Sequence, residues 1–399
     1  MNILLTNAKG LGHGGAEISI MQIAHELQKR GHNVILASSS SFEGIKVERL
    51  KNIDKYPYFL QHAYLKKFFI RIIKKYSIDI VAPQDNITTV PVIKAAKVCS
   101  IPVSVNFRSY WFACPISSCL RPDYSSCVHC NWKRLLFCAK WNRYFIDLYK
   151  WQNIKSASKI LETADLKLVV SDSLKNRLAA CGIKTNVQKI LPPRKLEQFY
   201  VSKDDAIQFK EKYKLKKIVI SFIGSFFYTK GILQLFKFMP EILRNNPDVS
   251  LLLVGNGPLY DDLKKKIADY GLENQIVLTG WLPFEKIPIC YAISDIVLIP
   301  HLWDEPFGAI VMEAAASSKP SIVSEKGGPG EFKDDFGYTI SPHDTELWKE
   351  KILYLIKNPA AREAIGKKAK RNIEKFSIEG YVTRIEQLYL QLIDSYKKR

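Results

Sequence analysis

Two acids, Glu305 and Glu313, stand eight positions apart in the stretch W-D-E-P-F-G-A-I-V-M-E that runs from Trp303 to Glu313. The apolar run Ile296-Val297-Leu298-Ile299 precedes it and Ala314-Ala315-Ala316 follows, so the pattern predicts strand, loop and helix. Pro300, which has no N–H for a ladder, ends the strand. Pro306 suits a helix's first turn and puts the helix start at Phe307 or Gly308. The first N–H groups of such a helix lack partners and favour an anion in front of them. At about 1.5 Å per residue, Glu313 lies roughly 7 Å down the helix from Gly308. One carboxylate then precedes the anion site and one flanks it. That arrangement suits a diphosphate carrying a hydroxylated group on each side, as in a sugar nucleotide. The same residues also read as a surface helix with two solvated acids, and the motif alone does not choose.

The elements that must position these acids belong to a chain of 399 residues, enough for two cores. With 47% apolar and 25% charged residues the composition is that of a soluble globular protein. No apolar run reaches the length of a membrane span. The opening residues Met1 to Asn7 lack a basic leader and read as a first strand, not a signal peptide, which predicts a cytosolic protein with eight reduced cysteines. Residues 1–200 hold 30 Lys+Arg against 13 Asp+Glu, a net of +17, while residues 201–399 carry only +3. A basic half beside a near-neutral one predicts that the first half meets a polyanion, either nucleic acid or an anionic membrane surface.

The chain opens as strand (Ile3–Thr6), glycine loop and helix, and Val34–Ala37 is the next strand, the start of a parallel α/β domain. The loop is literally G-x-G-x-x-G, Gly10 to Gly15. Dinucleotide folds add an acid about 20 residues on, at the end of the second strand. Here that strand runs into Ser38-Ser39-Ser40-Ser41, with Glu43 beyond. The glycines therefore mark either a ligand close to the backbone or a turn that needs φ > 0.

Tyr64 to Tyr76 is an amphipathic basic helix with Leu65, Phe68, Phe69, Ile72 and Ile73 on one side. It suits a lipid interface or, equally, a core-packed helix with a solvated basic face. Cys114, Cys119, Cys127 and Cys130 fall within seventeen residues, with His129 inside the C-x-x-C. The cluster reads as a structural zinc site or as a loop of thiols. From Trp132 to Trp151 aromatic and basic residues alternate, a mix that suits a membrane interface, single-stranded nucleic acid or a cleft wall. Beyond Leu191-Pro192-Pro193 the alternation resumes, with strands at Ile218–Ile223, Ser250–Val254, Ile276–Leu278, Ile296–Ile299 and Ser321–Val323. A helix is expected from Lys230-Gly231, and a charged helical tail, broken at Pro359, from Glu346 to Tyr389.

In its second half the chain resembles glycosyltransferase family 4, retaining enzymes of the GT-B fold. Glu305-Pro306-Phe307-Gly308 through Glu313 looks like that family's E-x7-E signature, Lys230-Gly231 like its K-G, and Gly255-x-Gly257-Pro258 like its G-x-G-P loop. Gly280-Trp281, the P-x-x-x-x-E run from Pro300 and Gly327-Gly328-x-x-Glu331 follow in the expected order. In the first half Gly14-Gly15-Ala16-Glu17 resembles the family's G-G-A-E loop, and Arg30-Gly31-His32-Asn33-Val34 its R-G-H-x-V.

The resemblance implies an α/β protein of two Rossmann-like domains facing across a cleft. It implies an acceptor-binding domain over 1–195, with a C-terminal helix at about 380–399 packing back on it, and a sugar-nucleotide-binding domain over 196–379. Glu313 would hold ribose hydroxyls, Lys230 the diphosphate and Glu305 the transferred sugar. Phe307, Gly308 and Ala309 would offer backbone N–H groups; Gly14 and Gly15 would admit the diphosphate from the other domain, and Gly257, Trp281 and Ser225 would border the donor. Ser225 stands where the family has Arg. Arg108-Ser109 replaces the His-Asp pair before Tyr110-Trp111-Phe112-Ala113-Cys114-Pro115, which makes Arg108 a candidate for the acceptor or sugar. No metal is required for the transfer and no D-x-D is present; zinc on Cys114, Cys119, Cys127 and Cys130 would be structural. The expected partners are a sugar nucleotide, a glycan or lipid-linked acceptor, and the anionic inner face of the cell membrane in preference to nucleic acid. A dinucleotide-dependent oxidoreductase, resting on Gly10 to Gly15, and a non-catalytic membrane or nucleic-acid binder are the alternatives.

Overall fold

The computed structural model describes residues 1–8, 15–51, 53, 58–121, 127, 130–138, 144–193 and 196–398. The chain divides into two compact units, Met1–Arg194 with Phe376–Arg399, and Lys195–Lys375.

The first unit alternates strands and helices: β1 (Asn2–Asn7), α1 (Gly15–Lys29), β2 (Asn33–Ser38), β3 (Lys46–Arg49), α2 (Tyr58–Lys75), β4 (Ile80–Pro83), α3 (Thr89–Val98) and β5 (Ser104–Phe107). After these come α4 (Trp132–Cys138), α5 (Tyr144–Glu162), β6 (Leu166–Val169), α6 (Asp172–Ala180) and β7 (Val187–Lys189). The strands pair in parallel as β3-β2-β1-β4 and β5-β6-β7, joined by a parallel bridge from Val81 to Val103. Short strands with both faces covered read as continuous Ile/Val/Leu runs, which is why β1, β2 and β4 have no polar alternation. The apolar side of α2 is core: Leu65, Phe69 and Ile72 are fully buried and Phe68 and Ile73 nearly so. Those five side chains are thus unavailable to a lipid interface, and the helix keeps its basic face for solvent.

The second unit begins with α7 (Lys203–Lys212) and continues with β8 (Ile218–Ile223), α8 (Ile232–Leu235), α9 (Met239–Asn245), β9 (Val249–Val254), α10 (Tyr260–Tyr270), β10 (Ile276–Gly280), α11 (Ile287–Ile293) and β11 (Ile296–Ile299). It closes with α12 (Ala309–Ala316), β12 (Ser321–Ser324), the single turn α13 (Gly327–Gly330), β13 (Gly337–Ile340), α14 (Thr345–Lys357) and α15 (Pro359–Ile373). Its parallel strands take the order β10-β9-β8-β11-β12-β13, the 3-2-1-4-5-6 order of a doubly wound Rossmann sheet. The direction of winding reverses between β8 and β11, and the loops that leave these two strands open a crevice at their carboxyl ends.

The last helix, α16 (Ile378–Lys397), belongs to the first unit. Tyr381, Val382, Ile385, Leu388, Tyr389 and Ile393 enter the same apolar cluster as Ile3, Leu5, Leu27 and Leu36. Arg30 Nη1 donates to Glu386 Oε2 at 3.1 Å, and His32 Nε2 lies 2.7 Å from Glu386 Oε1. The R-G-H turn after α1 thus fastens α16.

Candidate active site

The crevice between β8 and β11 is where Glu305 and Lys230 meet. Lys230 ends a short 3-10 turn, Tyr228–Lys230, and is followed by Gly231 with φ +73. A Cβ on Gly231 would stand 1.8 Å from the Pro300 carbonyl oxygen. Only glycine lets the lysine loop lie directly on the end of β11. Leu302 N donating to Thr229 O at 3.0 Å locks the two loops together.

One oxygen of Glu305 collects all the donors. Lys230 Nζ pairs with Oε2, Trp303 Nε1 donates to it at 3.0 Å, and His301 Nδ1 lies 3.6 Å away. The Lys230 ammonium also sits 5.5 Å from the centre of the Trp303 ring. Among the described residues no donor reaches Oε1, so one carboxylate oxygen is anchored and the other is left for a ligand. Burial and the neighbouring Lys230 push the His301 imidazole down to about 3, so it is neutral near pH 7. Its Nδ1 is buried without a hydrogen-bond partner among the described residues. Burial works to raise the Glu305 pKa, yet its neighbours His301 and Lys230 and the Trp303 N–H hold it below the ordinary carboxylate range. With His301 neutral, the Lys230 charge does most of that work. The site is therefore a lysine–carboxylate pair backed by a neutral ring, and neither carboxylate nor imidazole changes charge near neutral pH.

Glu313 lies on α12, in the same segment leaving β11 that carries Glu305. Its Oε2 accepts from the Tyr291 hydroxyl at 2.8 Å. Tyr291 is fully buried on α11, edge-on to Phe199 at 5.9 Å, so the Glu313 side chain is held from beneath. Helix α12 begins at Ala309 with Gly308 as N-cap in the left-handed region, and Pro306 lies ahead of the first turn rather than in it. The start falls just past the expected window because Gly308 turns the chain before the helix begins. Phe307 is buried edge-on to Phe332 at 6.0 Å; its ring is core and only its backbone can serve a ligand. Gly328 N donates to Glu305 O at 2.7 Å, which clasps the acid-bearing loop to the turn after β12.

The remaining expected residues are placed less centrally. Ser225 is half-buried at the exit of β8, with its carbonyl accepting from Phe227 N at 2.9 Å. A Cβ on Gly257 would meet the Phe226 backbone at 2.7 Å, so contact between two loops already requires that glycine. Trp281 is 72% exposed. Gly15 opens α1, while Gly14 lies outside the described residues. Arg108 follows β5, where its side chain hydrogen-bonds the buried Tyr381 of α16. Cys114, Cys119 and Cys127 are buried free thiols and Cys130 is half-buried. The Cys119 thiol hydrogen-bonds Cys114, which outweighs burial and brings the Cys114 thiol down to about 6, while Cys119 is pushed up. No three His, Cys, Asp or Glu side chains converge on a metal-sized position among the described residues. His129 lies outside the described residues.

Sequence reasoning missed His301 and Tyr291. His301 carried a faint signal, a histidine two residues past a strand that feeds a crevice. Tyr291 carried none, since its partner is 22 positions away.

Each unit matches a different family model: "Glycosyltransferase Family 4" over residues 13–193 and "Glycosyl transferases group 1" over residues 203–372. An uncharacterized glycosyltransferase of Methanocaldococcus jannaschii is 23% identical over 395 residues, covering 96% of this chain and 91% of the relative. The GDP-mannose-dependent alpha-(1-6)-phosphatidylinositol monomannoside mannosyltransferase of Mycolicibacterium smegmatis is 26% identical over 218 residues, 52% of this chain and 57% of its own length. Among solved structures, a glycosyltransferase from Rickettsia africae superposes with a TM-score of 0.78 at 20% identity, covering 98% of each chain. Anabaena HepE in complex with UDP gives 0.76 at 18% identity, covering 98% of this chain and 100% of that one. With one glycosyltransferase family model over each unit and the same fold along nearly its whole length, the chain is a GT-B glycosyltransferase.

Proposed function

We propose that the protein is a retaining hexosyltransferase that moves a sugar from a nucleotide-diphosphate sugar to a glycan or lipid-linked acceptor. The observation that carries this reading is the division of labour on Glu305, with Oε2 anchored by Lys230 and Trp303 and no donor on Oε1 among the described residues. Donor binding draws Lys230 from Glu305 to the diphosphate, where its charge and the N-terminus of α12 stabilise the negative charge that grows on the leaving group. Glu305 Oε1 accepts from hydroxyls of the transferred sugar, and Glu313, held by Tyr291, accepts from the ribose. Backbone N–H groups near Gly308 and Ala309 face the phosphates. The bond from the anomeric carbon to the diphosphate breaks, the acceptor oxygen bonds that carbon on the same face, and the acceptor proton passes to a leaving-phosphate oxygen. No side chain acts as general base. HepE was solved with UDP and with UDP-glucose, while the mycolicibacterial relative is GDP-mannose-dependent, so both nucleotides belong in the test. A thermal-shift series with UDP-, GDP-, ADP- and dTDP-sugars is expected to raise Tm with one nucleotide class, by mass action on the folded state. Glu313→Ala should abolish that rise and the transfer while keeping its own cooperative unfolding. Full transfer by Glu313→Ala would remove the assignment.

Charge supports a second element of the reading, attachment to the anionic inner face of the cell membrane through the first unit. No described helix is long and apolar enough to cross a membrane, so attachment would be peripheral. Trp132 on α4 is 50% exposed and Phe145 on α5 is 81% exposed. Lys133 lies 5.6 Å from the Trp132 ring centre. Aromatics beside cations suit the headgroup region, at about 1 kcal/mol per well-placed basic residue. The protein should float with liposomes containing anionic lipid and stay at the bottom with neutral ones. Equal flotation in both would discard the charge argument.

A further inference from the structure

The first unit contains a cavity of about 250 Å³, remote in sequence from the lysine–glutamate pair. It lies under the loops that leave β4 and β5, walled by α2 and α5. Carboxyl ends of parallel strands are where open α/β sheets bind ligands. Just below the usual range of ~300–1,000 Å³, it has room for a single ring rather than a chain.

Its lining is mainly apolar side chains and amides, with the Cys114 thiol and the Ser117 hydroxyl beside them. Trp111, Ile87, Val90 and Ile154 are apolar, and Trp111 is held flat on Phe107 with ring centres 5.6 Å apart and planes at 17°. Three amides, from Gln61, Asn86 and Asn153, stand among them. Gln61 Nε2 donates to Ile53 O at 2.7 Å. Asn153 Nδ2 is buried with no hydrogen-bond partner among the described residues. An unpaired buried donor is costly and rare, and asks for an acceptor to complete it. Lys150 is the one Lys or Arg of the lining, and Asp147 Oδ1, one turn earlier on α5, lies 3.7 Å from its ammonium. The cavity therefore makes little net demand for an anion.

Resting on the function proposed above, we infer that this cavity seats a neutral pyranose, the sugar at the end of the acceptor. An aromatic plane takes the apolar C–H face of such a ring, and hydroxyls can both accept from Asn153 Nδ2 and donate to amide oxygens. A lipid chain would cover three amides and leave Asn153 Nδ2 unsatisfied. A phosphate would find its one cation already compensated.

The test uses the full-length chain, with methyl hexopyranosides and decyl phosphate as probes in saturation-transfer NMR. At least one pyranoside should bind, with transfer strongest on its ring C–H protons. Asn153→Leu and Trp111→Ala should each weaken it about tenfold or more, the loss of one well-made contact, with Asn153→Ser as a milder variant. Nucleotide-sugar thermal shift should persist in all three, which shows that they fold and that the donor site stands. The proposal is overturned if no pyranoside binds, if binding is unchanged in the variants, or if decyl phosphate is the probe they lose. Failure of the wild-type protein to bind any nucleotide sugar would instead overturn the function on which the proposal rests.

Discussion

Lys230→Ala is expected to lower kcat by about 10²–10³-fold at saturating donor, the usual loss when one preorganised charge-stabilising group is removed. The lysine does two jobs in sequence. Without ligand its ammonium neutralises Glu305, whose carboxylate is otherwise half-buried beside a neutral His301. On the function proposed above, donor binding turns it to the diphosphate, where charge grows as the bond to the anomeric carbon breaks. Alanine removes both roles, and Lys230→Arg should restore part of the rate because charge persists while geometry does not. Glu305→Gln combined with Lys230→Ala should cost less than the two single effects added, because the pair shares one contact. Single-turnover measurement at saturating donor checks this. A kcat within about twofold of wild type in Lys230→Ala would reduce the lysine to a structural ion pair.

How much of this arrangement could be read from the residues depends on what holds each part. Strands β8 and β11 were legible to the residue, Ile218–Ile223 and Ile296–Ile299, because both are buried on two faces and begin and end on apolar residues, the one polar position being the buried Ser221 inside β8. Strand β3 was not, since Lys46-Val47-Glu48-Arg49 lies on a sheet edge where charges are tolerated. The helix expected from Lys230 is two short pieces, α8 and α9. Pro240 sits in the first turn of α9, where it is tolerated only because a new helix begins there. The amphipathic pattern of α2 fitted two environments equally, and only its packing partners could decide. Lys230, Glu305 and Glu313 were found because their company recurs in order along the chain. Tyr291 and His301 were not, because their meaning comes from the β8–β11 crevice, which brings distant positions together.

The glycines after β12 give the second large effect. Gly327→Ala is expected to cut kcat about 10²-fold, the size of loss that follows roughly 1 Å of misplacement at a reacting group. Gly327 has φ +65, and a Cβ there would stand 2.3 Å from Glu305 O and 2.5 Å from Glu305 N. Backbone atoms cannot rotate out of the way, so the loop bearing Glu305 must shift and take its carboxylate from Lys230 and Trp303. Gly271→Ala supplies the comparison. Gly271, φ +64, ends α10 with nothing within 4 Å of its added Cβ. It should lose only the left-handed backbone preference, about 1–2 kcal/mol of stability, and keep its kcat. Since the two substitutions share that strain, any difference in kcat between them reports displacement of Glu305. The nucleotide-sugar thermal shift should survive in Gly327→Ala, because Glu313 is anchored separately through Tyr291. Equal kcat in the two variants would mean that the Gly327 turn yields without moving Glu305, and that the acid's position does not depend on the clasp from Gly328 N.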